Sequence, residues 1–240
     1  AGSVRRDLKR IIGLTLLIEF IGMIFLYGHF RHVAGYEHPP VFAAAFHAVS
    51  AFCNAGFALQ SDSVMGFRSS PLLMFVIMAL VFLGGIGHSV TLEAGRRCIA
   101  RITGNRVGSV NWTLHSRVVL SVSIALIIAG AFLLLLTGAD WETAGWRQRT
   151  LDVFFQSVAS RTAGFNSVDT SHLPLGALLI FIFLMFIGGA PASCAGAIKV
   201  TSAAVYFAEV RARLTGAREA ALFGRRLPMD VIAKVTLVIG

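Results

Sequence analysis

One short pattern occurs twice in the chain. Residues 46–57 read FHAVSAFCNAGF, and residues 154–165 read FFQSVASRTAGF. Aligned 108 positions apart without a gap, five of twelve positions agree: Phe46/Phe154, Ala51/Ala159, Ala55/Ala163, Gly56/Gly164 and Phe57/Phe165. Each copy is a short apolar helical run, then Ala-Gly-Phe, then polar residues, and each lies between two long apolar segments. A helix rises about 1.5 Å per residue, so a run this short falls well below the roughly 30 Å of a bilayer's hydrocarbon layer. Irregular backbone at that depth is tolerated only against a cavity or other protein. The pattern therefore predicts an all-α membrane protein built from tandem helix–pore loop–helix repeats with re-entrant pore helices, and points to ion conduction.

Composition agrees. The chain of 240 residues is 56% hydrophobic and 14% charged, against roughly 25% charged for soluble domains. A net charge of +9 would suggest nucleic acid in a soluble protein. Here the basic residues cluster between apolar runs, so membrane topology accounts for them and no nucleic-acid partner is expected. Cys53, Cys98 and Cys194 are far apart, which indicates neither a disulfide framework nor a zinc site.

In chain order, the basic segment 5–10 (RRDLKR) precedes a first span, Ile11–Tyr27, interrupted only by Glu19. A signal peptide shares this layout, but no small-x-small cleavage site follows. Pro39 and Pro40 suit the start of a helix over 41–53. Pro71 opens an apolar helix expected to run to about Glu93. Val118–Thr137 carries no charge, and the polar loop 138–150 holds two tryptophans fit for a membrane interface. The second short run, 151–160, leads into TAGFN. Leu173 to about Val210 is apolar but broken by GGAPASCAGAIK at 188–199.

A second repeat supports duplication: FLGGIGHS (82–89) and FIGGAPAS (186–193) agree at Phe82/Phe186, Gly84/Gly188, Gly85/Gly189 and Ser89/Ser193. The offset of 104 is close to 108. Membrane repeats of this kind often place a pathway at their interface. The expected units are 1–108 and 109–226, with 227–240 beginning a further helix. The chain starts at Ala1 and stops within an apolar run, so a longer parent is expected. Fourteen Lys and Arg sit in the N-terminal segment and in 94–117 and 211–226. The positive-inside rule puts these in the cytoplasm of a multi-pass cell-membrane protein.

A cation crossing the bilayer must exchange its water shell for oxygen ligands, which rings of backbone carbonyls supply. Gly56 and Gly164 have the conformational freedom this needs. The C-terminal end of each preceding helix would favour a cation, and Phe57 and Phe165 would anchor the wall. The bland reading of either AGF alone is a helix C-cap; the pairing favours a filter.

These motifs together, NAGF after FHAVSAF, RTAGFNSVD after FFQSVAS, and FIGGAPASCAGAIK, resemble the Trk/Ktr/HKT potassium transporter superfamily across essentially the whole chain. Its members have four fused helix–pore loop–helix units around one pore, and the layout looks like the second and third, with the fourth just starting. The resemblance implies potassium uptake, with Asn54, Ala55, Gly56 and Phe57, and Thr162, Ala163, Gly164 and Phe165, as two quarters of the filter. It implies that the segment Gly188, Gly189, Ala190, Pro191, Ala192, Ser193, Cys194, Ala195 and Gly196, with Lys199, is an intramembrane gating loop. Ala192, Cys194 and Ala197 stand where Gly, Thr and Gly are more typical. The bottom-up reading of the break agrees, because Pro191 removes a donor and the glycines loosen the helix; an ordinary kinked helix is the plainer alternative. Further implications are a homodimer and a cytoplasmic nucleotide-binding regulatory subunit, with potassium as the transported ion and no cofactor or other metal.

Several residues carry two readings. Lys199 is either an electrostatic barrier or snorkels to the interface. Glu19 suits a helix–helix hydrogen bond better than a transport role. Arg161 braces the filter from behind rather than lining it, since its charge would repel a cation. His88 reads as a satisfied interior histidine, and His29, His32 and His38 as loop residues. Asp169 adds negative field at the mouth, and Asp140 and Glu142 lie in an interface loop. No nucleophile–base or carboxylate pair suggests an enzyme. Rival readings are a broken-helix sodium-coupled transporter of an organic solute and a non-transporting scaffold. Potassium or sodium, and passive or ion-coupled passage, all fit the residues.

Overall fold

The computed structural model describes residues 2–33, 35–103, 112–138, 145–217 and 219–239. Arg106, Asp140, Trp141, Glu142 and Arg218, which figure in the loops above, lie outside the described residues. The described chain is almost wholly helical: α1 (Gly2–Phe30), α2 (Pro40–Phe52), α3 (Pro71–Gly85), α4 (His88–Ile102), α5 (Leu114–Leu136), α6 (Trp146–Ala159), α7 (Leu175–Phe186), α8 (Val200–Leu214) and α9 (Met229–Ile239). A two-residue hairpin, β1 (Ala221–Leu222) with β2 (Arg225–Arg226), precedes α9.

By length and composition α1 and α5 can each cross a membrane alone. Their outward faces are apolar, with Leu16, Phe20, Ile24, Ile128 and Phe132 exposed. Lipid rather than water suits such surfaces. α2 has 13 residues and starts with Pro40 in its first turn, where the missing N–H costs nothing. It packs between α1 and α3. Small residues make that approach close: Ala43, Ala44, Ala48 and Ala51 are buried on α2. A Cβ on Gly22 of α1 would press on Leu80 of α3. α6 packs likewise on α5, which in turn meets α7 and α8, and α6 also touches α3. One apolar core, including Leu26, Phe30, Phe52, Met74, Ile77, Phe155 and Phe165, runs continuously through both halves of the chain.

Two boundaries differ from the sequence expectations. The helix opened by Pro71 does not continue to Glu93. It stops at Gly85, and Gly87, with φ 82°, turns the chain so that α4 leaves at 112° to α3. The apolar run conceals this break, because hydropathy continues through residues whose backbone does not. α6 begins at Trp146 rather than 151, so the polar stretch before it is partly helical. Between α7 and α8 the chain is non-helical from Ile187 to Lys199, close to the break expected at 188–199 and more than the kink of an otherwise continuous helix.

The two halves are also clamped on one side by charge. Arg68, in the turn before α3, donates to the carboxylate of Asp152 on α6 at 2.8 Å, and Asp152 is fully buried. Gln148 donates to the Arg68 carbonyl at 2.7 Å and to Asp152 at 3.2 Å. The sequence reading did not single out either residue of this pair.

Candidate ion pathway

The two repeated motifs fold alike and meet. After α2 ends, Asn54 and Gly56 take left-handed backbone, φ 49° and 73°; after α6, Thr162 and Gly164 do the same, φ 68° and 82°. Ala55 and Ala163 between them do not. A positive φ turns the chain out of its helical course at the end of each short helix. Glycine adopts it freely and asparagine tolerates it, whereas a β-branched threonine there is strained. The sequence argument credited the glycines alone.

Gly56 and Gly164 lie directly against each other. A Cβ on Gly56 would stand 2.6 Å from the Ala163 carbonyl oxygen and 2.7 Å from the Gly164 Cα. One on Gly164 would stand 3.1 Å from the Gly56 Cα. Residues 108 apart in sequence thus form one surface of bare backbone. The segments beyond are stitched as well: the Val64 amide donates to the Asn166 carbonyl at 3.2 Å, and the Asn166 amide to Ser63 Oγ at 3.0 Å. Ser50 Oγ donates to the Phe57 carbonyl at 2.7 Å. A cavity of about 360 Å³ opens beside them, lined by Asn54, Ala55, Ser160, Thr162, Gly164 and Asn166 among others. Its polar groups are amides, hydroxyls and carbonyls.

The two phenylalanines part company. Phe165 is fully buried in the main core, but Phe57 is 69% exposed. No described element covers its ring. Beyond the second glycine segment, Asp169 accepts from the Ser171 amide at 2.9 Å and hydroxyl at 2.7 Å. These bonds hold its carboxyl below the usual carboxylate range, so it stays ionised at neutral pH.

The second repeated motif also meets its copy. The Ala190 amide donates to the Gly85 carbonyl at 2.8 Å, and the Cys194 amide to the Gly84 carbonyl at 3.3 Å. A Cβ on Gly84 would collide with the Phe52 carbonyl, and one on Gly188 with the Gly196 carbonyl. The ends of the 188–199 segment are joined: Gly188 donates to Ile198 at 3.0 Å and Val200 to Gly189 at 3.0 Å. Ala192 and Ala197, two positions where the resemblance makes glycine more typical, both take left-handed backbone, φ 56° and 58°. The loop therefore keeps the shape glycine would allow, at a cost in strain. Lys199 Nζ donates to the Ala195 carbonyl at 2.6 Å, across the end of the loop. His88, just past the α3–α4 break, has Nδ1 3.0 Å from the Ala192 carbonyl oxygen, and so is satisfied by the loop. Cys53 Sγ lies 3.9 Å from Glu19 Oε1, a weak contact between α1 and the end of α2.

Comparison with known proteins converges on one family. The model of the TrkH family, described as a cation transport protein, matches residues 2–238. The chain belongs to the TrkH family. Its relatives in that family include the Ktr system potassium uptake protein B of Vibrio alginolyticus, 34% identical over 99% of this chain and 51% of that protein. Another is the potassium/sodium uptake protein NtpJ of Enterococcus hirae, 34% identical over 93% of this chain and 48% of that protein. The crystal structure of the potassium transporter TrkH from Vibrio parahaemolyticus superposes with a TM-score of 0.74 at 20% identity, covering 98% of this chain and 48% of that one. The TrkH-family fold is thereby shared, and the chain spans about half the length of the relatives it matches.

Proposed function

We propose that this chain supplies part of the wall of a potassium-conducting pore in the cell membrane. On this reading residues 1–108 and 109–226 are two helix–pore loop–helix units, and 227–240 begins a further helix. Asn54–Phe57 and Thr162–Phe165 are two filter segments, and 188–196 with Lys199 is the gate beneath them. The segments rich in Arg and Lys face the cytoplasm. The single observation that carries the reading is the apposition of Gly56 and Gly164: two bare, left-handed backbone segments, each at the end of a helix too short to span. Two such helix C-termini aimed at one place favour a cation, and backbone carbonyls replace its water. Family relatives named for potassium uptake support the choice of ion. A homodimer, and a nucleotide-binding regulatory subunit on the cytoplasmic side, complete the proposal on the strength of the family resemblance.

Uptake of radioactive rubidium by vesicles holding the intact protein tests this. We expect uptake that needs no sodium gradient and is blocked by external potassium far better than by sodium. Uptake strictly dependent on sodium together with an organic solute would favour the broken-helix transporter instead.

A further inference from the structure

Two consecutive residues hold opposite ends of the 188–196 loop. Arg161 Nη2 donates to the Gly188 carbonyl at 2.9 Å and to Ser123 Oγ at 3.2 Å, and its Nη1 to the Ser123 carbonyl at 3.4 Å. Thr162 Oγ1 accepts the Gly196 amide at 3.1 Å. Arg161 is more than nine-tenths buried, and among the described residues no carboxylate pairs with it. Keeping a guanidinium buried against neutral oxygens alone is costly, and its planar fork fixes direction as a more flexible lysine would not. Thr162 is the strained residue, φ 68°, and the next two residues are those against Gly56. Other loop contacts go to α3 and α4, through Gly84, Gly85 and His88. Arg161 and Thr162 are the residues of the second glycine segment's own strand that grip the loop.

We propose that Arg161 and Thr162 are positioning residues that couple the loop to the ion-facing segment Thr162–Phe165. The loop then cannot leave its seat without slackening that segment, so opening and discrimination are linked. This rests on the reading of Thr162–Phe165 as filter and 188–196 as gate.

Cys194 provides a reporter, being an exposed thiol on the loop. In the intact protein with Cys53→Ser and Cys98→Ser, its modification rate by a small water-soluble thiol reagent follows displacement of the loop. Thr162→Val keeps the shape and removes the acceptor. We expect it to speed Cys194 modification about fivefold, the effect of losing one net hydrogen bond. Rubidium uptake should rise and potassium-over-sodium discrimination fall in the same variant. Thr162→Ser restores the acceptor and should return all three readouts to within about twofold of the starting protein, which a merely structural role for the side chain's bulk would not. Arg161→Gln should act in the same direction as Thr162→Val; if it fails to fold, the valine–serine pair decides. Gly164→Ser is measured alongside. If it lowers discrimination while Thr162→Val leaves Cys194 modification at the starting rate, the coupling is overturned and the filter stands. If it leaves discrimination unchanged, the filter reading falls and takes the coupling with it.

Discussion

Gly56→Ser and Gly164→Ser each lower potassium-over-sodium discrimination at least about tenfold in vesicle uptake, while the protein still reaches the membrane. Both positions hold left-handed backbone, which costs any residue with a Cβ about 1–2 kcal/mol. That energy is comparable to the roughly 1.4 kcal/mol that separates tenfold selectivity from none. The two sites are unequal. At Gly56 the new atom would stand 2.6–2.7 Å from backbone of the opposite segment, which cannot swing aside. At Gly164 the closest approach is 3.1 Å, which a shift of a few tenths of an ångström relieves. Gly56→Ser should therefore be the more damaging. Competition of sodium and potassium against rubidium uptake measures both. Unchanged discrimination in the pair would remove these residues from the ion path.

Arg68→Ala lowers stability by about 3 kcal/mol, the low end of the cost of removing one partner from a buried ion pair. Asp152 has no exposed surface, and without Arg68 its carboxylate keeps only the Gln148 amide at 3.2 Å. The low end applies because Arg68 itself is 26% exposed and partly screened. Replacing both residues by apolar ones of similar volume should recover much of the loss, since neither charge is then stranded. Thermal unfolding of the purified protein in detergent reads this. Equal midpoints for Arg68→Ala and the parent would show that the clamp contributes nothing.

Much of the fold was legible because membranes restrict the options. Span length, helices too short to span, and the two glycine repeats follow from hydropathy and from glycine's conformational freedom, and the structure places each repeated motif against its copy. What stayed hidden has no signature in side chains. The bend at Gly87 lies within an apolar run, and hydropathy does not report backbone direction. Thr162 holds a conformation its side chain disfavours, so local preference misleads there. The loop is held by carbonyls of Gly84, Gly85, Gly188 and Gly189, groups common to every residue. Arg68 and Asp152 are 84 positions apart, and charge pairing at that distance needs the fold first. Arg161 was placed behind the second segment on electrostatic grounds, and its bonds to Ser123 and Gly188 agree with that position; that it grips the loop emerged only with the geometry.

The central claim is that Gly56 and Gly164 present backbone to a permeating potassium ion. Crystals of the intact protein grown with rubidium or thallium in place of potassium test it most directly, through anomalous scattering. The account predicts a strong peak beside the apposed glycines, within coordinating distance of backbone carbonyls from both segments, that weakens when sodium replaces the heavier ion. A peak confined to other parts of the protein, with none beside Gly56 and Gly164, would contradict it.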